Sequence, residues 1–219
     1  MCGRFVFEMG FETILEFFEN FEINIDLKPN YNITPTQKVV TITNQEPARA
    51  QLFHWGLIPP WAKDKKLASK MINARAETLS EKPTFKKPYQ TKRCLIPANG
   101  YYEWQKKTKI PLYIRLKSQQ PFAFAGLWET WNPPGQEPVN SCTIITTEPN
   151  ELLKSVHHRM PVILNPRDYS QWLDTNIQAA DELDSLLVPY ASNAMEYYAV
   201  SDFVNNARNN SPQCIQPVT

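Results

Sequence analysis

A chain of 219 residues is long enough to bury a sizeable core, and 42% hydrophobic with 21% charged residues is an ordinary globular balance. No stretch is apolar enough to span a bilayer, no export signal is expected, and Cys2, Cys94, Cys142 and Cys214 lack regular spacing. These features argue against a membrane helix and a disulfide scaffold, and they lead us to expect a cytoplasmic protein, in a bacterium one of the cytosol or nucleoid.

In chain order, Cys2 to Phe7 reads as a strand, and Phe11, Ile14, Leu15, Phe18 and Phe21 have helical spacing. Residues 28–35 (Lys-Pro-Asn-Tyr-Asn-Ile-Thr-Pro) read as a turn-rich loop. Gln37–Thr43 and Arg49–Trp55 form a candidate hairpin, followed by an ordered Trp- and Pro-rich loop to Trp61. Lys70–Leu79 is compatible with a helix. Strands are expected at Arg93–Pro97, Gly100–Gln105, Pro111–Leu116, Phe122–Trp128 and Ser141–Thr147. A helix follows over Glu148–Val156, a strand over Met160–Leu164, helices from Asn165 to Leu173 and over Asp181–Leu187, and a last strand over Glu196–Val200. Nineteen prolines against six glycines favour short strands joined by ordered loops. The expected fold is mixed α/β (α+β): an antiparallel, barrel-like β core with flanking short helices, one domain over 1–202 and a frayed tail over 203–219.

The net charge of +1 conceals an asymmetry. Ala62–Lys117 holds 15 Lys and Arg against 4 Asp and Glu, a local +11, which leaves −10 for the remainder. Phe85, Tyr89, Tyr101, Tyr102 and Trp104 lie within that stretch. Clustered basic charge with interleaved aromatics suits a polyanion whose bases can stack, although a basic face is often merely solvated.

Several common sites are absent. There is no glycine-rich phosphate loop, no Gly-x-Ser-x-Gly elbow and no metal-ligand spacing among the three histidines and four cysteines, so neither metal nor cofactor is expected. Cys2 stands out instead. If Met1 is removed, one residue carries an α-amine and a thiol, both partly unprotonated near neutral pH. A 1,2-aminothiol can condense with an aldehyde and close a thiazolidine. Asn73, Arg75, Glu103 and His157 are polar residues in apolar or aromatic settings. Each could equally be a structural hydrogen bond or ion pair. A carboxyl among aromatics, as at Glu103, is raised by desolvation toward the range of a proton shuttle.

Five ordered blocks resemble the SRAP family (SOS response associated peptidase). They are Met1-Cys2-Gly3-Arg4, Trp55-Gly56-Leu57-Ile58-Pro59-Pro60-Trp61, Asn73-Ala74-Arg75-Ala76-Glu77-Thr78, Arg93-Cys94-Leu95-Ile96-Pro97 continuing to Gly100-Tyr101-Tyr102-Glu103-Trp104, and His157-His158-Arg159-Met160-Pro161. His158 stands where family members usually have Asp. The resemblance implies an abasic-site processing protein that captures the lesion in single-stranded DNA, or at single-strand/duplex junctions, as a thiazolidine on Cys2, with associated lyase and peptidase activity. It implies catalytic roles for Cys2, Asn73, Glu103 and His157. Arg4 and Arg75 would contact phosphates, and Trp104, Pro35 and Trp61 would contact bases. A monomer is expected.

Two alternatives remain. An N-terminal-nucleophile amidohydrolase also begins Cys-Gly, but needs an oxyanion hole and an amino-acid clamp rather than a basic stripe. A non-catalytic single-stranded DNA-binding module would explain the stripe but not Cys2.

Overall fold

The structure is a computed structural model that describes residues 2–10, 13–14, 18, 21–23, 25–45 and 49–218. Its strands in chain order are β1 (Phe5–Phe7), β2 (Glu22–Ile23), β3 (Asn30–Ile33), β4 (Lys38–Thr43), β5 (Arg49–Trp55), β6 (Asn73–Arg75), β7 (Arg93–Ala98), β8 (Gly100–Trp104), β9 (Pro111–Leu116), β10 (Phe122–Trp131), β11 (Val139–Thr147), β12 (Met160–Pro161), β13 (Ile163–Leu164) and β14 (Met195–Ala199). Helices α1 (Pro83–Thr91), α2 (Tyr169–Leu173) and α3 (Ala180–Asp184) are short. The fold is mixed α+β, as expected from the density of strand-like segments.

Strands β4, β5, β11, β10 and β7 pair around a closed ring. Only the β5–β11 contact in it is parallel. Closure removes the free edges that an open sheet exposes. Strands β7 and β10 are buried almost throughout, which is why they read as continuous apolar runs rather than alternating ones. A second, antiparallel sheet has the order β14-β9-β8-β1-β3. Aromatic edges join the two layers: Phe5 lies 5.0 Å from the Trp55 ring and 5.7 Å from Phe124, and Tyr101 lies 6.0 Å from Phe124. Within the second sheet, Gly100 leaves room for the ring of Tyr113 on the neighbouring strand, since a Cβ there would fall 2.5 Å from it.

Several local expectations are corrected. Lys70–Leu79 is not a helix: a 3-10 turn over Lys65–Lys70 leads into β6, and a second turn covers Ala76–Thr78. The edge of β11 offers parallel partners at Ile144, Ile145 and Thr146, and that pairing outweighs local helix propensity. The loop expected over 28–35 contains β3, which completes the second sheet beside β1. Residues 148–156 form turns only, with the buried Asn150 side chain accepting from Leu153 N at 3.1 Å. Helix α1 is unexpected, since prolines at 83 and 88 mask it. Pro83 sits in the first turn, where a missing N–H costs nothing, and Phe85 and Tyr89 are buried four residues apart. Most of the helix expected over 11–21 lies outside the described residues. Ile14 and Phe18 are described, and both are buried.

The tail after residue 202 is packed, not frayed. Asn32, only 1% exposed, donates from Nδ2 to the carbonyls of Val204, Asn206 and Asn209. Val204 and Cys214 are buried against Tyr102 and Tyr113, and Val218 N donates to Ala199 O at 3.0 Å. A polar stretch without periodicity is held here by its backbone carbonyls, which composition does not register. Among the described residues no helix is long and apolar enough to cross a membrane.

Candidate active site

The N-terminal segment runs antiparallel to β8. Phe5 lies opposite Tyr101, and Tyr102 N donates to Arg4 O at 2.9 Å. Continuing that register carries Glu103 alongside the first residues of the chain. Side chains alternate along a strand, so Tyr101 and Glu103 share one face of β8 while Tyr102 and Trp104 share the other. From the opposite side, β6 presents Asn73, whose Nδ2 donates to the Cys2 carbonyl at 2.9 Å. Arg75 follows on the same face of β6 and is exposed, whereas Ala74 between them is buried.

Cys2 is fully buried. Burial, then the negative charge of Glu103, pushes its thiol well above the ordinary range. Burial likewise raises the Glu103 carboxyl, opposed by the positive chain terminus. Glu103 is 6% exposed and is thus a carboxyl set to hold a proton to higher pH than a surface residue would. Tyr101 was not singled out from sequence. Its phenol is fully buried and raised by burial and by Cys2 and Glu103, and its hydroxyl has no hydrogen-bond partner among the described residues. The Tyr-x-Glu spacing on a strand was the available signal.

His157 lies in the turn before β12. Its Nδ1 lies 3.1 Å from the Arg159 backbone nitrogen and 3.2 Å from the Arg159 carbonyl, so the Arg159 backbone orients the ring. Burial, then the charged terminus, lowers its pKa, so the neutral form dominates near neutrality. His158, the departure from the family pattern, is exposed and lies 4.3 Å from the His157 ring. Arg159 clamps this turn to the end of β6 by a two-pronged pair with Glu77, at 2.6 and 2.9 Å. Asn73 and His157 are thereby held by one network.

Arg4, expected to contact a phosphate, is tied to the C-terminal segment. Its Nη1 donates to Asn32 Oδ1 and Val204 O, both at 2.7 Å, and its guanidinium lies over the Trp104 ring. Trp104 also donates to Asn205 Oδ1 at 2.8 Å. Both residues are therefore braced by the tail. Pro35 precedes Thr36 in a tight turn. Trp61 is 63% exposed, a large apolar ring presented to solvent.

The basic stripe is not uniformly a surface. Arg93 is fully buried and donates to the carbonyls of Tyr89, Gln90, Trp172, Asp174 and Ile177, and Lys92 pairs with the buried Glu129. Lys63, Lys65, Lys66, Lys70, Arg75, Lys82, Lys86, Lys87, Lys106, Lys107, Lys109 and Lys117 stay exposed. Among the described residues no group of three His, Cys, Asp or Glu could hold a metal ion.

A family model described as "SOS response associated peptidase (SRAP)" matches residues 1–207. The chain is 51% identical, over 99% of both chains, to a Bacillus subtilis protein named abasic site processing protein YoqW. It is 33% identical to abasic site processing protein HMCES of Pongo abelii, over 76% of this chain and 56% of that longer one. A crystal structure of a Bacteroides thetaiotaomicron protein aligns with a TM-score of 0.85 at 30% identity, covering 98% of this chain and 100% of the other.

Proposed function

The chain belongs to the SOS response associated peptidase (SRAP) family, and on that premise we propose that it captures abasic sites in single-stranded DNA as a covalent adduct on Cys2. The observation that carries this reading is the Asn73 amide on the Cys2 carbonyl, with Glu103 close enough on the neighbouring strand to perturb the Cys2 thiol. Those contacts hold the backbone of Cys2 and set a carboxyl beside its nucleophiles.

Removal of residue 1 by hydrolysis, which the peptidase activity of the family would supply, frees the Cys2 amine. The protonated form of the His157 ring gives a proton to the ring oxygen of the closed abasic sugar while the C1 hydroxyl loses its own to the imidazole, so the sugar opens to the aldehyde with no net proton change. The amine adds to that aldehyde, a proton relayed by Glu103 leaves with the departing oxygen as water, and an imine remains. The iminium charge then lies beside a thiol that burial had kept protonated, which lowers its pKa. Sulfur adds to the iminium carbon, the thiol proton returns to the Glu103 carboxylate, and the five-membered thiazolidine closes without any redox change. A lyase side reaction would branch from the imine.

Arg75, exposed two residues beyond Asn73, would contact a phosphate flanking the lesion. Trp104, Pro35 and Trp61 would stack or wedge against bases, with Arg4 bracing Trp104. The partner on this reading is single-stranded DNA or a single-strand/duplex junction, bound by a cytoplasmic monomer. The amidohydrolase alternative is not the family to which the chain belongs, and a pure binding module leaves Cys2 unexplained.

The test is incubation with a single-stranded oligonucleotide carrying one abasic site, followed by a denaturing gel and intact mass. The expected adduct has the mass of the chain without Met1 plus the oligonucleotide minus one water. Absence of a gel-stable species sinks the proposal.

A further inference from the structure

Outside the Cys2 site, a cavity of about 450 Å³ is lined by Thr36, His54, Lys65, Lys66 and Ser69. His54 is the unusual member. It lies on β5 opposite Lys38, is only 7% exposed, and no hydrogen bond of normal geometry among the described residues reaches its Nε2. The Thr36 backbone interacts with the ring and favours its charged form, but a buried Nε2 without a well-formed hydrogen bond is costly and asks for an explanation. Thr36 is the second unusual member: it is a β-branched residue at φ 73°, pinned by its N–H to Trp55 O at 2.8 Å. Strain of that kind persists where the surroundings impose it and marks functional loops.

The chemistry facing the cavity is that of an anion site. Two lysines, two hydroxyl-bearing residues and one histidine line it, and Ser69 Oγ donates to Lys66 O at 3.0 Å. The acidic residue nearest in sequence is Asp64, an exposed carboxylate 3.8 Å from Lys66 Nζ that does not line the cavity. Its lining residues neighbour, in sequence, residues that reach toward the Cys2 site. Thr36 follows Pro35. Trp55, next to His54, packs on Phe5 and donates from Nε1 to Ile72 O at 3.0 Å, the residue before Asn73. Ser69 precedes Asn73 by four residues.

We propose that this cavity is a second anion subsite, which holds a backbone phosphate of the bound DNA strand away from the lesion. It rests on the reading of DNA as the partner. Burial and the neighbouring Lys65 hold the free imidazole neutral. A phosphate seated against Lys65 and Lys66 offsets that repulsion, so His54 can take a proton and donate from Nε2 to a phosphate oxygen. The subsite reads no base, and it adds affinity only for strands long enough to reach it.

The test uses the full chain and strands carrying a tetrahydrofuran analogue, which lacks the aldehyde, as a trinucleotide and as a strand several times longer. Wild-type protein should bind the longer strand more tightly. With Lys65→Gln/Lys66→Gln, the slope of log affinity against log salt on the longer strand should become shallower by about 0.7, the share of one phosphate. His54→Phe keeps the ring's shape and should lower affinity for the longer strand several-fold. Because both lysines are exposed, their substitution reports binding rather than folding. An unchanged slope, or an equal change on the trinucleotide, overturns the subsite. So does an NMR shift of the His54 ring with inorganic phosphate unaccompanied by any slope change on DNA, since that assigns the cavity to a free anion. Failure of the wild type to cross-link an abasic trinucleotide would instead overturn the Cys2 reading and leave this length comparison standing.

Discussion

Asn73 and Cys2 stand 71 residues apart in the chain and meet through one hydrogen bond of 2.9 Å, from the Asn73 amide to the Cys2 carbonyl. That bond fixes the plane of the Cys2 backbone. Asn73→Ala should remove about 1 kcal/mol of net hydrogen bonding and leave the carbonyl oxygen unpaired. Cross-linking at limiting oligonucleotide should slow about tenfold, with a melting shift of only about 2–4 °C. Gel time courses and calorimetry read the two effects, and an unaltered cross-linking rate would remove Asn73 from the mechanism.

Cys2 separates the amine from the thiol. Cys2→Ser and Cys2→Ala retain an amine after removal of residue 1, so each should give an imine trapped only by borohydride. A chain that keeps residue 1 or carries an N-terminal extension has an amide nitrogen at Cys2 and should give no stable adduct. A stable cross-link at the blocked terminus would exclude the 1,2-aminothiol route.

Glu103 links pH to stability. Burial holds its folded-state pKa above the ordinary carboxyl value, so the folded state binds the proton more tightly than the unfolded one. Its stabilising contribution is present below the unfolded value and lost as pH rises through the folded value. Glu103→Gln cannot lose a proton, so its melting temperature relative to wild type should climb across that window, while cross-linking falls about 10²-fold or more. A pH-independent melting difference between the two would contradict the burial argument.

Gly56 sets the approach to β6. Its φ is 125°, and a Cβ would come within 2.5 Å of Ala68 O. Gly56→Ala should therefore displace the Lys65–Lys70 turn at a cost of about 1–3 kcal/mol. Thermal melting should show that loss, and cross-linking should fall with it because Asn73 follows the turn.

Asn32 tests the tail. Truncation after residue 202 strips its amide of all three carbonyl partners and strips Arg4 of Val204 O. Orphaned buried groups of this kind cost about 1–3 kcal/mol each. Truncation and Asn32→Ala should both lower the melting temperature, and an unchanged value in the truncated chain would mean that the tail is dispensable.

The closed ring of strands was legible because its central members are short apolar runs between proline turns, as β7 and β10 show. Helix α1 and strand β6 were not. Prolines disguise the first, and the second exists only because β11 lies beside it. The packed tail escaped for the same reason, since Asn32 supplies from a distant strand the donors that the tail lacks locally.

The sequence by itself determined the family, the α+β class and the identity of an N-terminal cysteine with its candidate partners. Those features reside in residue order, side-chain chemistry and short-range pattern. Only the tertiary structure decided which charges face inward, as Arg93 does and Arg75 does not, and that Arg4 braces the tail. It also joined Asn73 to Cys2, set Tyr101 beside Glu103 and enclosed His54. Burial and strand register arise from contacts between segments far apart in the chain, and a pKa or a hydrogen bond answers to those contacts rather than to neighbours in sequence.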